Sequence, residues 1–141
     1  AVTGVWNTEN LKEKLGETLY KRCHFVVKEI QRVQEAVDAL EQSDFKALGK
    51  LMSETHHGLS QEYEVSCDEL DFLVDAVQNE KTVLGARMMG GGFGGCSINL
   101  VEKGTENDLI NCISKQYQDQ FGITLKAYKI KIAKGTTQYK N

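Results

Sequence analysis

Proline is absent from this 141-residue chain, although an average protein contains about 5% of it. Long helices can therefore run without the interruption that a proline ring causes. Long hydrophobic runs are missing too, since no apolar stretch approaches the ~20 residues of a membrane span. The N-terminus lacks the basic and then apolar stretch of a secretion signal. We therefore expect a single domain with long helices and no membrane partner.

An excess of basic residues is also missing. The chain has 17 Lys+Arg against 20 Asp+Glu, a net charge of −3. Because binding to phosphate backbones needs a basic surplus, we expect no nucleic-acid partner. No C-x-x-C pair occurs, which predicts free thiols and a reducing, cytoplasmic location rather than a disulfide framework or a zinc site. The four cysteines are Cys23, Cys67, Cys96 and Cys112.

The first half of the chain is predicted to be helical after a linker at residues 1–9. The first predicted helix spans residues 10–41, and an apolar stripe at steps of three and four residues is expected to face the core. The stripe consists of Cys23, Val26, Ile30, Val33, Val37 and Leu40. Ser43 is the expected N-cap of a second helix. Its expected inward residues are Phe45, Leu48, Met52 and Leu59. Ser66 and Glu69 form an S-x-x-E capping box, which predicts the start of a third helix.

The second half changes to a period of two residues, which is typical of half-buried strands. Strands are predicted at residues 82–89 and from Cys96 to Leu100. A helix is predicted to begin near Thr105 and to end at Gly122. A last strand is predicted over residues 123–132, with a bulge near Ala127. This order predicts an α+β domain with helices packed on one face of an antiparallel sheet.

A cluster of glycines between the two predicted strands is the most informative feature of the sequence. Its backbone can reach positive φ and could present N–H groups to phosphate oxygens, although a simple hairpin connection is the competing interpretation. It is neither a Walker A loop nor a dinucleotide fingerprint, because it lacks Gly-Lys-Ser/Thr and leads into a strand. It also lacks the V-A-I-K, H-R-D and D-F-G segments of protein kinases. The cluster consists of Gly90, Gly91, Gly92, Phe93, Gly94 and Gly95.

Other candidates are weaker. Arg87 lies on the strand before the cluster and is the cation best placed to contact an anion, with a surface ion pair as the alternative. His56 and His57 point about 100° apart on a helix, so they are expected to be surface or helix-packing residues. Cys23 and His24 cannot face each other as a nucleophile pair, and Cys96 is expected to begin a buried strand. The acidic residues of 62–71 are expected to be a solvated helix N-terminus.

Four segments together resemble a known family. They are GARMMGGGFGGC at 85–96, MSETHHGL at 52–59, YEVSCDELD at 63–71 and YKRCHFVV at 20–27. The first resembles the third motif of the small-molecule kinases named for galactokinase, homoserine kinase, mevalonate kinase and phosphomevalonate kinase. The other three resemble the galactokinase family within that group. The resemblance covers residues 20–101, with a continuation expected to the C-terminus.

The resemblance implies the C-terminal domain of an ATP-dependent sugar kinase. Its fold would be a ferredoxin-like antiparallel sheet of four strands with additional N-terminal helices packed on one face. The first strand would then lie before residue 1. ATP and Mg²⁺ would be bound mainly by an N-terminal domain that also holds the catalytic Asp and Arg, so no catalytic residue and no metal ligand is expected here. The glycine cluster would line the cleft between the domains near phosphate and sugar, with Phe93 bracing the turn by packing. Galactose 1-phosphate would be the product.

Two further interpretations remain open at this point. The chain could belong to an inactive sugar and ATP sensor, or to a kinase for an N-acetylhexosamine or arabinose. Either way, the isolated chain is expected to be inactive, and an open sheet edge could allow two copies to pair. Positive φ in the glycine cluster predicts that Gly91→Val impairs the intact protein.

Overall fold

The computed structural model describes residues 9–132, 135 and 138. Five helices and two strands follow one another within this part of the chain. They are α1 (Glu9–Leu15), α2 (Glu17–Glu41), α3 (Phe45–Gln61), α4 (Asp68–Gln78), β1 (Val83–Met89), β2 (Cys96–Val101) and α5 (Glu106–Phe121). The α+β class is as predicted. Of the predicted linker, residues 1–8 lie outside the described part, and Glu9 already begins α1.

Helices α1 and α2 replace the single helix predicted over residues 10–41. The break is at Gly16, whose φ of 75° lies outside the helical region. Helix α3 also begins differently from the prediction, because its N-cap is Asp44 rather than Ser43. The Asp44 carboxylate accepts a hydrogen bond from the Ala47 N–H at 2.9 Å, and Ser43 has a φ of 57° in the turn before it.

The apolar stripe predicted to face the core lies on the opposite side of α2. The five aliphatic residues of the stripe are 41–68% exposed, and Cys23 is exposed as well. Helix α2 instead turns Phe25 and Ala39 inward, against α3. A Cβ at Gly58 of α3 would collide with the Phe25 ring, so the two helices approach closely there. The prediction was wrong because spacing identifies an apolar face but not which face meets a neighbour.

Helices α4 and α5 form the main core with one face of the sheet. Ala86 of β1 packs in a buried cluster with residues of both helices. These are Leu73, Val74 and Val77 of α4, with Ile113 and Tyr117 of α5. Helix α5 ends at Gly122 in the left-handed conformation, as predicted. The predicted capping box of α4 is not formed, because the N-cap is Cys67 and Ser66 bonds the Asp71 side chain instead.

The sheet has two antiparallel strands, with Met89 opposite Cys96 next to the turn. Its register shifts between Val83 and Gly85. The strand predicted over residues 123–132 is not present, so the expected bulge near Ala127 has no strand to belong to. A strand requires a hydrogen-bonded partner, and no described strand pairs with this segment, which leaves Ile130 and Ile132 exposed.

Helix α3 covers the edge of β1 that faces away from β2. A Cβ at Gly49 would collide with the Leu84 carbonyl oxygen, and a Cβ at Gly85 would collide with the Gly49 carbonyl oxygen. The helix and the strand therefore touch backbone to backbone, which only glycine permits at these two positions. No helix of the described part is long and apolar enough to cross a membrane.

Candidate functional site

The glycine loop, residues 90–95, joins β1 to β2 in an irregular path. Four of its glycines have positive φ: 100° at Gly90, 91° at Gly92, 130° at Gly94 and 107° at Gly95. Phe93 also lies in the left-handed region, with a φ of 57°. Because residues with side chains rarely adopt such a succession, the path of this loop depends on its composition. Backbone N–H groups in turns of this kind can contact anions closely.

The loop rests on the segment that connects α3 to α4. The Phe93 N–H donates a hydrogen bond of 2.7 Å to the carbonyl oxygen of Val65. A Cβ at Gly92 would collide with that same oxygen and press on the Val65 side chain. Gly92 is therefore required twice, for its φ and for the absence of a side chain.

Two expectations about the loop are corrected. Gly91 has no positive φ, and a Cβ at this position would meet no atom within 4 Å, so it is the wrong position for the Gly91→Val test. Gly92 is the position where a side chain would be excluded. Within the described residues the Phe93 ring does not pack against the turn, since Phe93 is 77% exposed. Its main-chain N–H holds the turn instead.

Arg87 lies half-buried on β1, opposite Ile98 of β2. Its Nε donates a hydrogen bond of 3.2 Å to the Met88 carbonyl oxygen. Within the part of the chain that the structure describes, its guanidinium pairs with no carboxylate. Among these described residues Arg87 forms no surface ion pair, and its contact with an anion stays a prediction.

His56 is a buried polar residue that the sequence did not single out as functional. This residue of α3 is 5% exposed. Nδ1 accepts a hydrogen bond of 3.2 Å from the Met88 N–H, and Nε2 lies 3.2 Å from Asp71 Oδ1. The neutral ring therefore carries its proton on Nε2, directed at Asp71. Its neighbour His57 is exposed.

Asp71 of α4 accepts hydrogen bonds from two serines, one on α3 and one in the segment between α3 and α4. Ser66 Oγ donates to Oδ1 at 2.5 Å, and Ser60 Oγ donates to Oδ2 at 2.8 Å. Burial lowers the pKa of His56 below its ordinary value, and the Asp71 and Asp75 carboxylates oppose that shift. Helices α3 and α4 leave a cleft of about 110 Å³ beside this cluster.

The remaining candidates lie elsewhere. Cys96 is exposed rather than buried, because the strand begins beside the open loop. His24 lies 3.6 Å from Glu62 and stacks on Tyr20, so it does not activate Cys23. No cluster of three His, Cys, Asp or Glu residues that could hold a metal occurs among the described residues.

The acidic run is only partly a solvated helix end. Glu64 forms ion pairs with Lys21 at 3.4 Å and with Arg22 at 3.3 Å. The hydrogen bond from Arg22 is the largest cause that lowers the pKa of the Glu64 carboxyl, and the hydrogen bond from Lys21 adds to it. Asp71 is half-buried.

The structure thus brings the glycine loop together with the 63–66 segment, Asp71 and His56, while Cys23 and His24 stand apart. A signal for His56 was present in the sequence. It continues the spacing of Leu48 and Met52 at a step of four residues, and Leu59 follows three later, which places it on the inward face of α3.

Comparison with known proteins agrees with these observations. Residues 36–119 match the family described as GHMP kinases C terminal. The galactokinase of Thermotoga petrophila is 43% identical over 123 residues, which is 87% of this chain and 35% of that protein. The galactokinase of Bos taurus is 43% identical over 106 residues, 75% of this chain and 27% of that protein.

A solved structure extends the likeness to the fold. The crystal structure of Lactococcus lactis galactokinase complexed with galactose superposes with a TM-score of 0.77 and 33% identity. The match covers 86% of this chain and 32% of the galactokinase chain. This chain therefore spans about a third of the length of the relatives it matches.

Proposed function

The chain belongs to the family of GHMP kinase C-terminal domains, and we propose that it is the C-terminal part of a galactokinase. In this proposal the complete enzyme transfers the γ-phosphoryl group of ATP to the anomeric hydroxyl of galactose. The galactose oxygen forms a bond to phosphorus, the bond to the ADP oxygen breaks, and the hydroxyl proton is released. The identity to galactokinases over most of the chain supports this substrate over other sugars.

The observation that carries the proposal is the glycine loop. Five glycines and an exposed phenylalanine are held in a fixed path by the contact between Phe93 and Val65. At its glycines such a surface can approach phosphate or sugar without side chains in the way, and its N–H groups carry partial positive charge. We propose that residues 90–95 line the active site on the side of this domain. Arg87 would add a positive charge close to the same loop.

The chemistry requires groups that this chain does not supply. Phosphoryl transfer depends on positioning and on stabilising negative charge, and Mg²⁺ supplies part of that charge stabilisation when bound. The described residues offer the loop backbone and Arg87 for binding and orientation, but no carboxylate cluster that suits the metal. We therefore propose that Mg²⁺, most contacts to ATP and the catalytic residues belong to an N-terminal domain, and that this chain alone is inactive.

The test measures ADP release by the intact protein. The complete reading frame is expressed, and ADP is measured with ATP and Mg²⁺, with and without galactose. Galactose-dependent release is expected, and the 141-residue chain alone should give none. Binding of sugar and ATP without release would make the protein a sensor. Release with N-acetylhexosamine or arabinose, but not galactose, would change the substrate.

The proposal also covers partners and location. The principal partner is the N-terminal domain of the same enzyme. The outer edge of β2 is unpaired within the described residues, so we propose that the isolated chain can self-associate there. A strict monomer by light scattering at high concentration would contradict this. The four unpaired cysteines agree with a cytoplasmic location.

A further inference from the structure

We propose that His56 is a positioning residue for the glycine loop, holding the end of β1 and, through Asp71, the segment on which the loop rests. This inference rests on the proposed kinase function, because it assigns His56 a part in building the same site. His56 does not touch substrate in this proposal. It acts through the backbone of Met88 and the carboxylate of Asp71.

The first contact of His56 is a hydrogen bond at the end of β1, just before the glycine loop. Met88 lies two residues before Gly90, and its N–H points to the edge of β1 that no described strand covers. A buried N–H without an acceptor is costly, and His56 Nδ1 supplies that acceptor at 3.2 Å. The direction in which β1 enters the loop is therefore fixed from α3.

The second contact of His56 acts on the middle of the loop, through Asp71 and the segment on which the loop rests. His56 Nε2 faces Asp71 Oδ1, and the same oxygen accepts from Ser66 Oγ at 2.5 Å. Ser66 follows Val65, whose carbonyl oxygen receives the Phe93 N–H at 2.7 Å. One imidazole ring thus connects both contacts that hold the loop, one through each of its nitrogens.

Protonation of His56 would break its hydrogen bond with the Met88 N–H. A doubly protonated ring has an N–H at Nδ1 and cannot accept a hydrogen bond from Met88. The charged groups around His56 are Asp71 and Asp75 of α4 and its neighbour His57 on α3, while β1 presents the Met88 N–H. Burial favours the neutral ring, so the loop is held at neutral pH and released on acidification.

Two substitutions separate the two nitrogens. In His56→Asn the amide oxygen takes the place of Nδ1 and can accept from Met88. In His56→Gln the amide nitrogen takes the place of Nε2 and can donate to Asp71, but nothing accepts from Met88. His57→Gln is the matched control, because it changes an exposed histidine one position away.

The intact protein is assayed for kcat and KM with galactose and ATP. His56→Gln should lower kcat/KM on the order of 10- to 100-fold, because a misplaced loop slows turnover steeply. His56→Asn should lower it only on the order of threefold, because it loses the donation to Asp71 while Ser60 and Ser66 still hold that carboxylate. The fall of wild-type kcat as the pH drops through the folded pKa of His56, which lies below 6.5, should be absent in His56→Asn, whose amide does not titrate. A residue needed only for folding would change the melting temperature without changing this pH profile.

Hydrogen exchange of amides 88–95 gives a readout that needs no turnover. His56→Gln should speed exchange at these amides and leave α4 and α5 unchanged, whereas His57→Gln should change neither. If His56→Gln does not fold, His56→Asn decides, since it removes only the donation from Nε2 to Asp71 and should speed exchange at 90–95. Equal kinetics and exchange in wild type and folded variants would overturn the positioning role. Absence of galactose-dependent turnover in the wild type would instead overturn the proposed function.

Discussion

The two sides of α3 differ in how closely they are matched to their neighbours. Toward β1, glycines at positions 49 and 85 allow the backbones to touch, and His56 satisfies a strand N–H. Toward α2, contact is made by Phe25 on Gly58 and by a polar cluster of Glu29, Arg32 and Thr55, while the aliphatic stripe of α2 remains exposed. The side of α3 that faces β1 and positions the loop therefore packs backbone against backbone. The side that faces α2 packs through side chains and makes fewer contacts.

The largest effect is expected at the constrained side. Gly49→Ala should lower the free energy of unfolding of the chain by about 3 kcal/mol, because its Cβ would collide with the Leu84 carbonyl group. Chemical denaturation followed by circular dichroism measures this change. Alanine is otherwise about 1 kcal/mol better than glycine inside a helix. A stabilised variant would therefore show that the helix and strand do not touch.

A smaller loss is expected between α2 and α3. Thr55, which is 3% exposed, donates a hydrogen bond of 2.8 Å to Glu29, and Glu29 also pairs with Arg32. Thr55→Val should cost about 1–2 kcal/mol of unfolding free energy, because the bond is to a charged acceptor. Thr124→Val is the control, since its hydroxyl bonds an exposed Gln118. Equal losses of unfolding free energy in the two variants would contradict a stabilising role of the hydrogen bond between Thr55 and Glu29.

The stability of the chain is expected to depend on pH through His56, which lies on the β1 side of α3. The folded pKa of His56 lies below 6.5, so the unfolded chain binds more protons and stability rises with pH. The contribution of His56 is present above about pH 6.5 and is lost as pH falls through the folded pKa. Melting temperatures of wild type and His56→Asn across this window measure it. A wild-type slope no steeper than that of the variant would contradict the burial of His56.

The smallest effect is expected on the exposed stripe. Ile30→Gln should change the unfolding free energy of the chain by less than about 0.5 kcal/mol, because Ile30 is 68% exposed. The same denaturation experiment measures it, with Phe25→Gln as the buried counterpart on the same helix. A loss at Ile30 as large as that at Phe25 would show that this face is covered.

The sequence was most informative where local chemistry decides the structure. The two strands around the glycine loop and the end of α5 at Gly122 follow from alternation and from glycine. Burial was predicted less well, because the α2 stripe and the segment 123–132 have apolar patterns whose partners are not encoded locally. His56 was overlooked for a related reason. Its importance comes from Met88 and Asp71, which lie 32 and 15 positions away in the sequence.

The glycine loop also shows that a sequence motif does not determine the conformation of each of its residues. The glycine run identified the loop, but nothing in its letters distinguishes Gly91 from Gly92. The contact with Val65 makes that distinction, and it arises from a different segment of the chain.

The most direct measurement compares Gly92→Ala with Gly91→Ala in the intact protein, using galactose-dependent ADP release. Gly92→Ala should lower kcat/KM on the order of 100-fold, because a displaced loop misplaces the reacting groups, and Gly91→Ala should stay within a few-fold of wild type. Melting temperatures of the two variants check that both are folded. Equal activities in the two variants would contradict the claim that the loop, held on Val65, forms part of the active site.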